Sequence, residues 1–152
     1  MKTISVSEAF ALAPPRRPAV LCIKGPNGST DMIMTSWFNW LNIKRQPMIS
    51  YAMERTRSLG LNAAEMDELY LAFPPVNDAL RYQNGVRTAA EGENKDLPNG
   101  ISICRWNGIP VDVPENCDVI LRCTVQGSYN YPFKKVRIFN CNLEEALYWR
   151  QR

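Results

Sequence analysis

Histidine is absent from all 152 residues of the chain. That absence excludes Ser-His-Asp and Cys-His catalysis, histidine metal ligation and imidazole acid–base steps. Any catalysis is then expected to rest on a cofactor that carries the chemistry. Long apolar runs are missing too: nothing approaches the ~20 residues that a membrane-spanning helix needs. The N-terminus has a short apolar stretch, but Pro14, Pro15, Arg16 and Arg17 interrupt it, which makes a poor secretory signal. A cytoplasmic protein without a membrane contact is expected. The five cysteines, Cys22, Cys104, Cys117, Cys123 and Cys141, are odd in number and widely spread, with no Cys-x-x-Cys pair. A disulfide framework or zinc site is therefore not expected, and the thiols read as small buried hydrophobes in strands. No glycine fingerprint for dinucleotides and no Walker A loop is present.

What remains is ordinary globular material. Hydrophobic residues make up 45% and charged residues 22%, enough apolar content to build one core over a single domain, residues 1–152. The formal net charge is only +3, and the basic residues are scattered rather than striped along one element. That balance supports a modest preference for anions and argues against a nucleic-acid surface.

Turn and cap signals divide the chain. Ser5 or Ser7 can cap a short helix through Ala13, which Pro14 and Pro15 stop. An apolar strand is expected over 19–24. The Gly-Pro-Asn-Gly turn at 25–28 then leads into a strand over 30–38 that makes a hairpin with it. Alternation in that second strand puts Ile33, Thr35 and Trp37 on one face, and Met34, Ser36 and Phe38 on the other. Further strands are expected over 48–52, 68–73, 118–125 and 134–140, with a strand or bent connection at 101–106. Short helices are expected over 59–66 and 76–82, a polar loop over 83–100, and a closing helix over 143–150 capped by Asn142. Six or seven short strands with few helices predict a mainly β fold, an antiparallel barrel with short decorating helices.

Residues 35–58 concentrate three polar clusters: Thr35, Ser36 and Trp37; Ser50 and Tyr51; and Arg55, Thr56, Arg57 and Ser58. A phosphate monoester is gripped by hydroxyls, free amides and an arginine fork, and the third cluster supplies these just before a candidate helix. A flat ring system needs an apolar wall and backbone groups along its polar edge, which strand residues beside Trp37 and Tyr51 can provide. Each cluster alone also fits ordinary strand or turn composition.

Their order is more specific. Pro18-Ala19-Val20-Leu21, Met34-Thr35-Ser36-Trp37-Phe38, Pro47-Met48-Ile49-Ser50, Thr56-Arg57-Ser58 and Glu68-Leu69-Tyr70-Leu71-Ala72-Phe73 follow one another as in the flavin reductase-like family of FMN-binding split barrels, which this chain resembles. The stretch from Gly108-Ile109-Pro110 to Val136-Arg137-Ile138-Phe139 matches that family's closing strands more loosely. The resemblance implies a split β-barrel, a homodimer with FMN near its interface, and hydride or electron transfer through the flavin from NAD(P)H or a redox protein. It implies that Thr35, Ser36 and Trp37 line the ring and ribityl chain. Ser50, Tyr51 and Ala52 would meet the ring edge, and Thr56, Arg57 and Ser58, with Arg55 beside them, the phosphate. The chain departs from the pattern twice: no histidine stands near the late strands, and Asp31 occupies a position where asparagine is common. The missing histidine bears on the nicotinamide step rather than on flavin binding. Two rival readings stay open, an FMN-bearing electron carrier without NAD(P)H activity and a barrel that binds single-stranded nucleic acid through Trp37, Trp40 and Tyr51 near Lys44 and Arg45. Against the second, those aromatic and basic residues do not interleave along successive strands.

Overall fold

The computed structural model describes residues 1–12, 18–24, 30–35, 38–43, 46–54, 67–75, 86–87, 102–130 and 136–148. The expected helices at 59–66 and 76–82, and the loop at 83–100 apart from 86–87, lie outside these residues.

The chain opens with β1 (Lys2–Ile4) and α1 (Val6–Leu12). The helix begins with a reciprocal cap: the Glu8 backbone N–H donates to Ser5 Oγ at 3.2 Å, and the Ser5 N–H donates to Glu8 Oε2 at 2.8 Å. Nine strands form one sheet in which every pairing is antiparallel. Besides β1 they are β2 (Ala19–Lys24), β3 (Thr30–Thr35), β4 (Phe38–Ile43), β5 (Gln46–Glu54), β6 (Glu68–Phe73), β7 (Val86–Arg87), β10 (Val119–Asn130) and β11 (Val136–Tyr148). The order runs β4-β5-β11-β10-β6-β2-β3-β7, with β1 added on β11, and β8 (Ile103–Cys104) and β9 (Val113–Pro114) form a separate ribbon.

Two residues close this path on itself. β3 and β4 stand near opposite ends of the strand order, yet only residues 36 and 37 separate them. Three peptide steps span at most about 11 Å, so the sheet has to curl until its ends meet. Phe38, the first residue of β4, reaches across and meets Phe73 of β6 edge-on, with ring centroids 6.0 Å apart. The result is a nearly closed antiparallel barrel.

Each wall has its own core. Ala19, Leu21, Ile23, Phe38, Ile49, Leu71, Phe73, Leu121, Phe139 and Cys141 fill the interior. Val20, Cys22, Tyr70, Ala72 and Ile120 face outward and are covered by Trp106, Ile109, Val111, Val113 and Cys117. Because β2 is buried on both faces, it reads as an unbroken apolar run rather than an alternating one. The covering layer turns at Trp106, whose carbonyl accepts the Ile109 N–H at 3.0 Å, with Gly108 at the positive φ of 81° that a type II turn places there. The Asp112 N–H donates to the buried Thr30 hydroxyl at 2.8 Å, which ties the layer to β3.

Several sequence expectations are corrected. The strand expected over 30–38 ends at Thr35, and Phe38 starts a new strand, so Phe38 points into the barrel rather than sharing a face with Met34. Residues 86–87, placed in a loop, pair with Asp31 and Met32. β5 and β10 run further than expected. Of the helix expected over 143–150, residues 143–148 are instead the end of β11, paired with β10 on one side and β1 on the other, and 149–150 lie outside the described residues. Leu143, Glu144, Glu145, Ala146 and Leu147 are strong helix formers, but two ladders and the burial of Leu143, Ala146 and Leu147 outweigh that preference.

Candidate functional site

Strand β5 brings the polar clusters together. Ser50 stands opposite Asn39 of β4 and Asn140 of β11, Tyr51 opposite Phe38 and Phe139, and Ala52 opposite Ile138. Thr35 is buried at the end of β3 and is three residues from Phe38, which lies across from Tyr51. The connection from β3 to β4 therefore leads from Thr35 to the strand partner of Tyr51; Ser36 and Trp37 lie outside the described residues. Arg55, Thr56, Arg57 and Ser58 also lie outside them. Their backbone starting point is known, since Glu54 ends β5 opposite Val136.

The pleat sorts the faces. Ile49 is fully buried in the barrel, so Ser50 and Ala52, both half-buried, turn to the outer face. There the register sets Asn39, Ser50, Asn140 and Gly127 in one row, and Ala52, Ile138 and Tyr129 in the next. These side chains are small or uncharged. A Cβ built on Gly127 would meet nothing within 4 Å, and Tyr129 is 52% exposed. A low platform of this kind, with hydroxyl and amide groups along one row and aliphatic groups along the next, fits a flat ring with one polar edge. Gly127, Tyr129, Ile138 and Asn140 were not among the residues marked from sequence. Ile138 and Asn140 fall in a strand expected from sequence and Gly127 and Tyr129 beyond the end of one, and the neighbourhood of all four with β5 is a matter of long-range pairing.

The opposite face of the β10–β11 hairpin carries a cation. Arg137 donates from Nε and Nη2 to Ser128 Oγ, at 3.0 and 2.8 Å, and from Nη1 to Asn130 Oδ1 at 3.1 Å. Its guanidinium sits 6.0 Å from the centroid of the Phe139 ring. Met53 of β5 is its backbone neighbour.

Arg122 bridges Glu68 at 3.2 Å and Glu145 at 3.4 Å across three strands. Tyr70 donates its hydroxyl to Glu68 at 3.0 Å. Burial, followed by that bond to Glu68, pushes the Tyr70 phenol above its ordinary value. Burial likewise raises the thiols of Cys22, Cys104, Cys117, Cys123 and Cys141. All five are free, and every one except the half-buried Cys104 is buried, which agrees with their reading as small hydrophobes. They are neutral near pH 7 and poorly suited to act as nucleophiles.

No protein-family profile matches the chain, and no curated protein matches it by sequence. Solved structures do match by shape. A NADH:FAD oxidoreductase of Streptomyces globisporus C-1027, also determined with NAD and FAD fragments, superposes with a TM-score of 0.66 at 10% identity, over 98% of this chain and 87% of its own. Flavoredoxin of Methanosarcina acetivorans gives a TM-score of 0.65 at 14% identity, over 99% and 77%. A flavin reductase domain protein of Arthrobacter sp. FB24 gives 0.64 at 14% identity, over 95% and 86%. The strand order, the closure between β3 and β4 and these superpositions together identify the fold as the split barrel of the flavin reductases and flavoredoxin.

Proposed function

We propose that the protein is an FMN-binding oxidoreductase of the flavin reductase type, whose residues 1–152 act as one flavin domain. The observation that carries this reading is the uncharged outer face on which Ser50 and Ala52 stand in register with Asn39, Asn140 and Ile138, in a barrel of flavin-oxidoreductase fold. Bound flavin would accept and pass on hydride or electrons. The chain would bind and orient it. Thr35, Ser36 and Trp37 line the ring and ribityl chain in this reading. Ser50, Tyr51 and Ala52 meet the pyrimidine edge, and Arg55, Thr56, Arg57 and Ser58 hold the phosphate.

Hydride transfer to a flavin needs no protein acid or base, so a chain without histidine can support it. NAD(P)H as the donor is favoured by two neighbours, the oxidoreductase determined with NAD and FAD fragments and a flavin reductase determined with NADP+. The likeness to flavoredoxin supports a second reading, an electron carrier served by a redox protein. A homodimer with the flavin near its interface, in the cytoplasm, completes the proposal. Among the described residues no helix is long and apolar enough to cross a membrane.

The test is spectroscopic. Purified protein is expected to be yellow, to release FMN on denaturation and to rebind FMN at micromolar concentration in preference to FAD. Anaerobic addition of NADH or NADPH is expected to bleach the flavin band. Bound flavin that neither nucleotide bleaches would favour the carrier, and protein that neither retains nor rebinds any flavin would overturn both readings.

A further inference from the structure

Gly127 leaves a notch in the outer face of the sheet, and nothing in the fold asks for a glycine there. A Cβ built on it would meet nothing within 4 Å. The ladder shifts register between Val125 and Gly127, but Gly127 is not at a positive φ, so the bulge does not depend on a missing side chain either. A glycine inside a strand weakens it, and where packing and conformation do not demand one it marks close approach by a ligand. Beyond the notch lies no further strand among the described residues, since β6 pairs with β10 only as far as Thr124.

The residue opposite the notch has an unused valence. Asn140 faces Gly127 across the ladder, and its half-buried carboxamide has no hydrogen-bond partner among the described residues. Its other cross-strand neighbour is Ser50, and the next row along the same face holds Ala52, Ile138 and Tyr129. Strand spacing and rise make this surface about 10 Å across three strands and about 7 Å along them, room for a flat three-ring system. A carboxamide offers two donors and an acceptor, which suits a ring edge where carbonyls flank an N–H.

The geometry points to a seat and an orientation for the flavin ring: its pyrimidine edge lies over Gly127, hydrogen-bonded to the Asn140 carboxamide, and its methyl-bearing end points toward Ala52 and Ile138. This assignment rests on the flavin reading above and gives it two ring-binding residues of the β10–β11 hairpin.

FMN and riboflavin carry the same ring, so a fault in its seat should weaken both alike. Each is titrated into flavin-free full-length protein and into Gly127→Leu and Asn140→Ala, with flavin fluorescence as the readout. Thermal melts and light-scattering mass are recorded alongside. Gly127→Leu is expected to melt like the parent, because its side chain enters open space, and to bind both flavins at least about 10-fold more weakly. Asn140→Ala is expected to weaken both by about 5- to 10-fold, the worth of a hydrogen bond. Unchanged affinity in either variant, or a loss confined to FMN, overturns the assignment. A loss in Gly127→Leu that comes with a change in solution mass also overturns it, and makes the face a contact between copies of the chain. Should Gly127→Leu fail to fold, Asn140→Ala decides by the same outcomes. Unsubstituted protein that binds flavin while both variants match it loses only the proposed seat. Unsubstituted protein that binds neither flavin removes the flavin reading and the seat with it.

Discussion

Burial sets the chemistry of single residues here more than charge does. The Cys141 thiol is pushed up to about 12 by the apolar barrel interior, from an ordinary value of 9.0. Cys22 and Cys123, fully buried, move in the same direction, again because the interior disfavours a thiolate. A thiol whose folded pKa is raised stabilises the native state fully below the unfolded value, and that contribution is lost as pH rises through the folded one. Stability should therefore fall between about pH 9 and about pH 12 as unfolded chains ionise thiols that folded chains keep neutral. Urea midpoints measured under reducing conditions at about pH 8 and about pH 10 should show the lower value at the higher pH. Substituting Cys123 and Cys141 together by alanine should reduce the difference, and an unchanged difference would place its origin elsewhere.

Among the elements, β11 is the one whose local preference and final state disagree. Its last residues read as a capped helix, and an isolated peptide of that composition has every reason to be one. In the protein Ala146 stands between Leu121 of β10 and Ile4 of β1, so its backbone is flanked by ladders on both sides. Proline at this position would remove a ladder hydrogen bond and clash within a central strand. Ala146→Pro is expected to cost about 1–3 kcal/mol through the lost ladder bond and its orphaned partner, a large share of the stability of an ordinary domain. Circular dichroism and thermal melts would check this, and a variant that melts like the parent would argue that the strand is not central. The split of residues 30–38 has a related cause. Period-two alternation holds as far as Thr35, but Phe38 belongs with Leu21, Ile49 and Phe73, on the inside. A two-residue break re-phases the pattern, and alternation alone has no way to register such a break.

For the whole molecule, one sheet that closes on itself joins nearly every described strand through a shared interior, so folding should be cooperative and ligand binding should be felt globally. If FMN binds the folded chain alone, FMN at about 100 times its dissociation constant should add about 2.7 kcal/mol of stability. For a chain of this size that is a rise in melting temperature of about 5–10 °C. Thermal melts with and without FMN would read it directly, and an unchanged Tm at saturating FMN would contradict binding to the native state. The outer layer over 102–118 adds a second core on the far wall, where Trp106, Ile109 and Val113 cover Val20, Cys22 and Ala72. It accounts for an apolar β2 that a barrel with one solvated face would not require.

The sequence by itself determined the class of the fold and the chemistry that is unavailable. Prolines, the Ser5 cap and short apolar runs marked α1, β2, β6 and most of β10, and the absence of histidine removed imidazole chemistry. These are local signals, carried by residues within one turn or one strand of each other. The order of motifs in residues 35–58 then suggested a flavin site through family resemblance. Tertiary structure decided what depends on pairing between distant segments. It made residues 143–148 a strand and turned Phe38 inward. It also set Asn140, Gly127 and Arg137 beside β5, far from it in sequence. Strand partners and the identity of the buried face follow from the closure of the whole sheet, and no window of neighbouring residues contains that information.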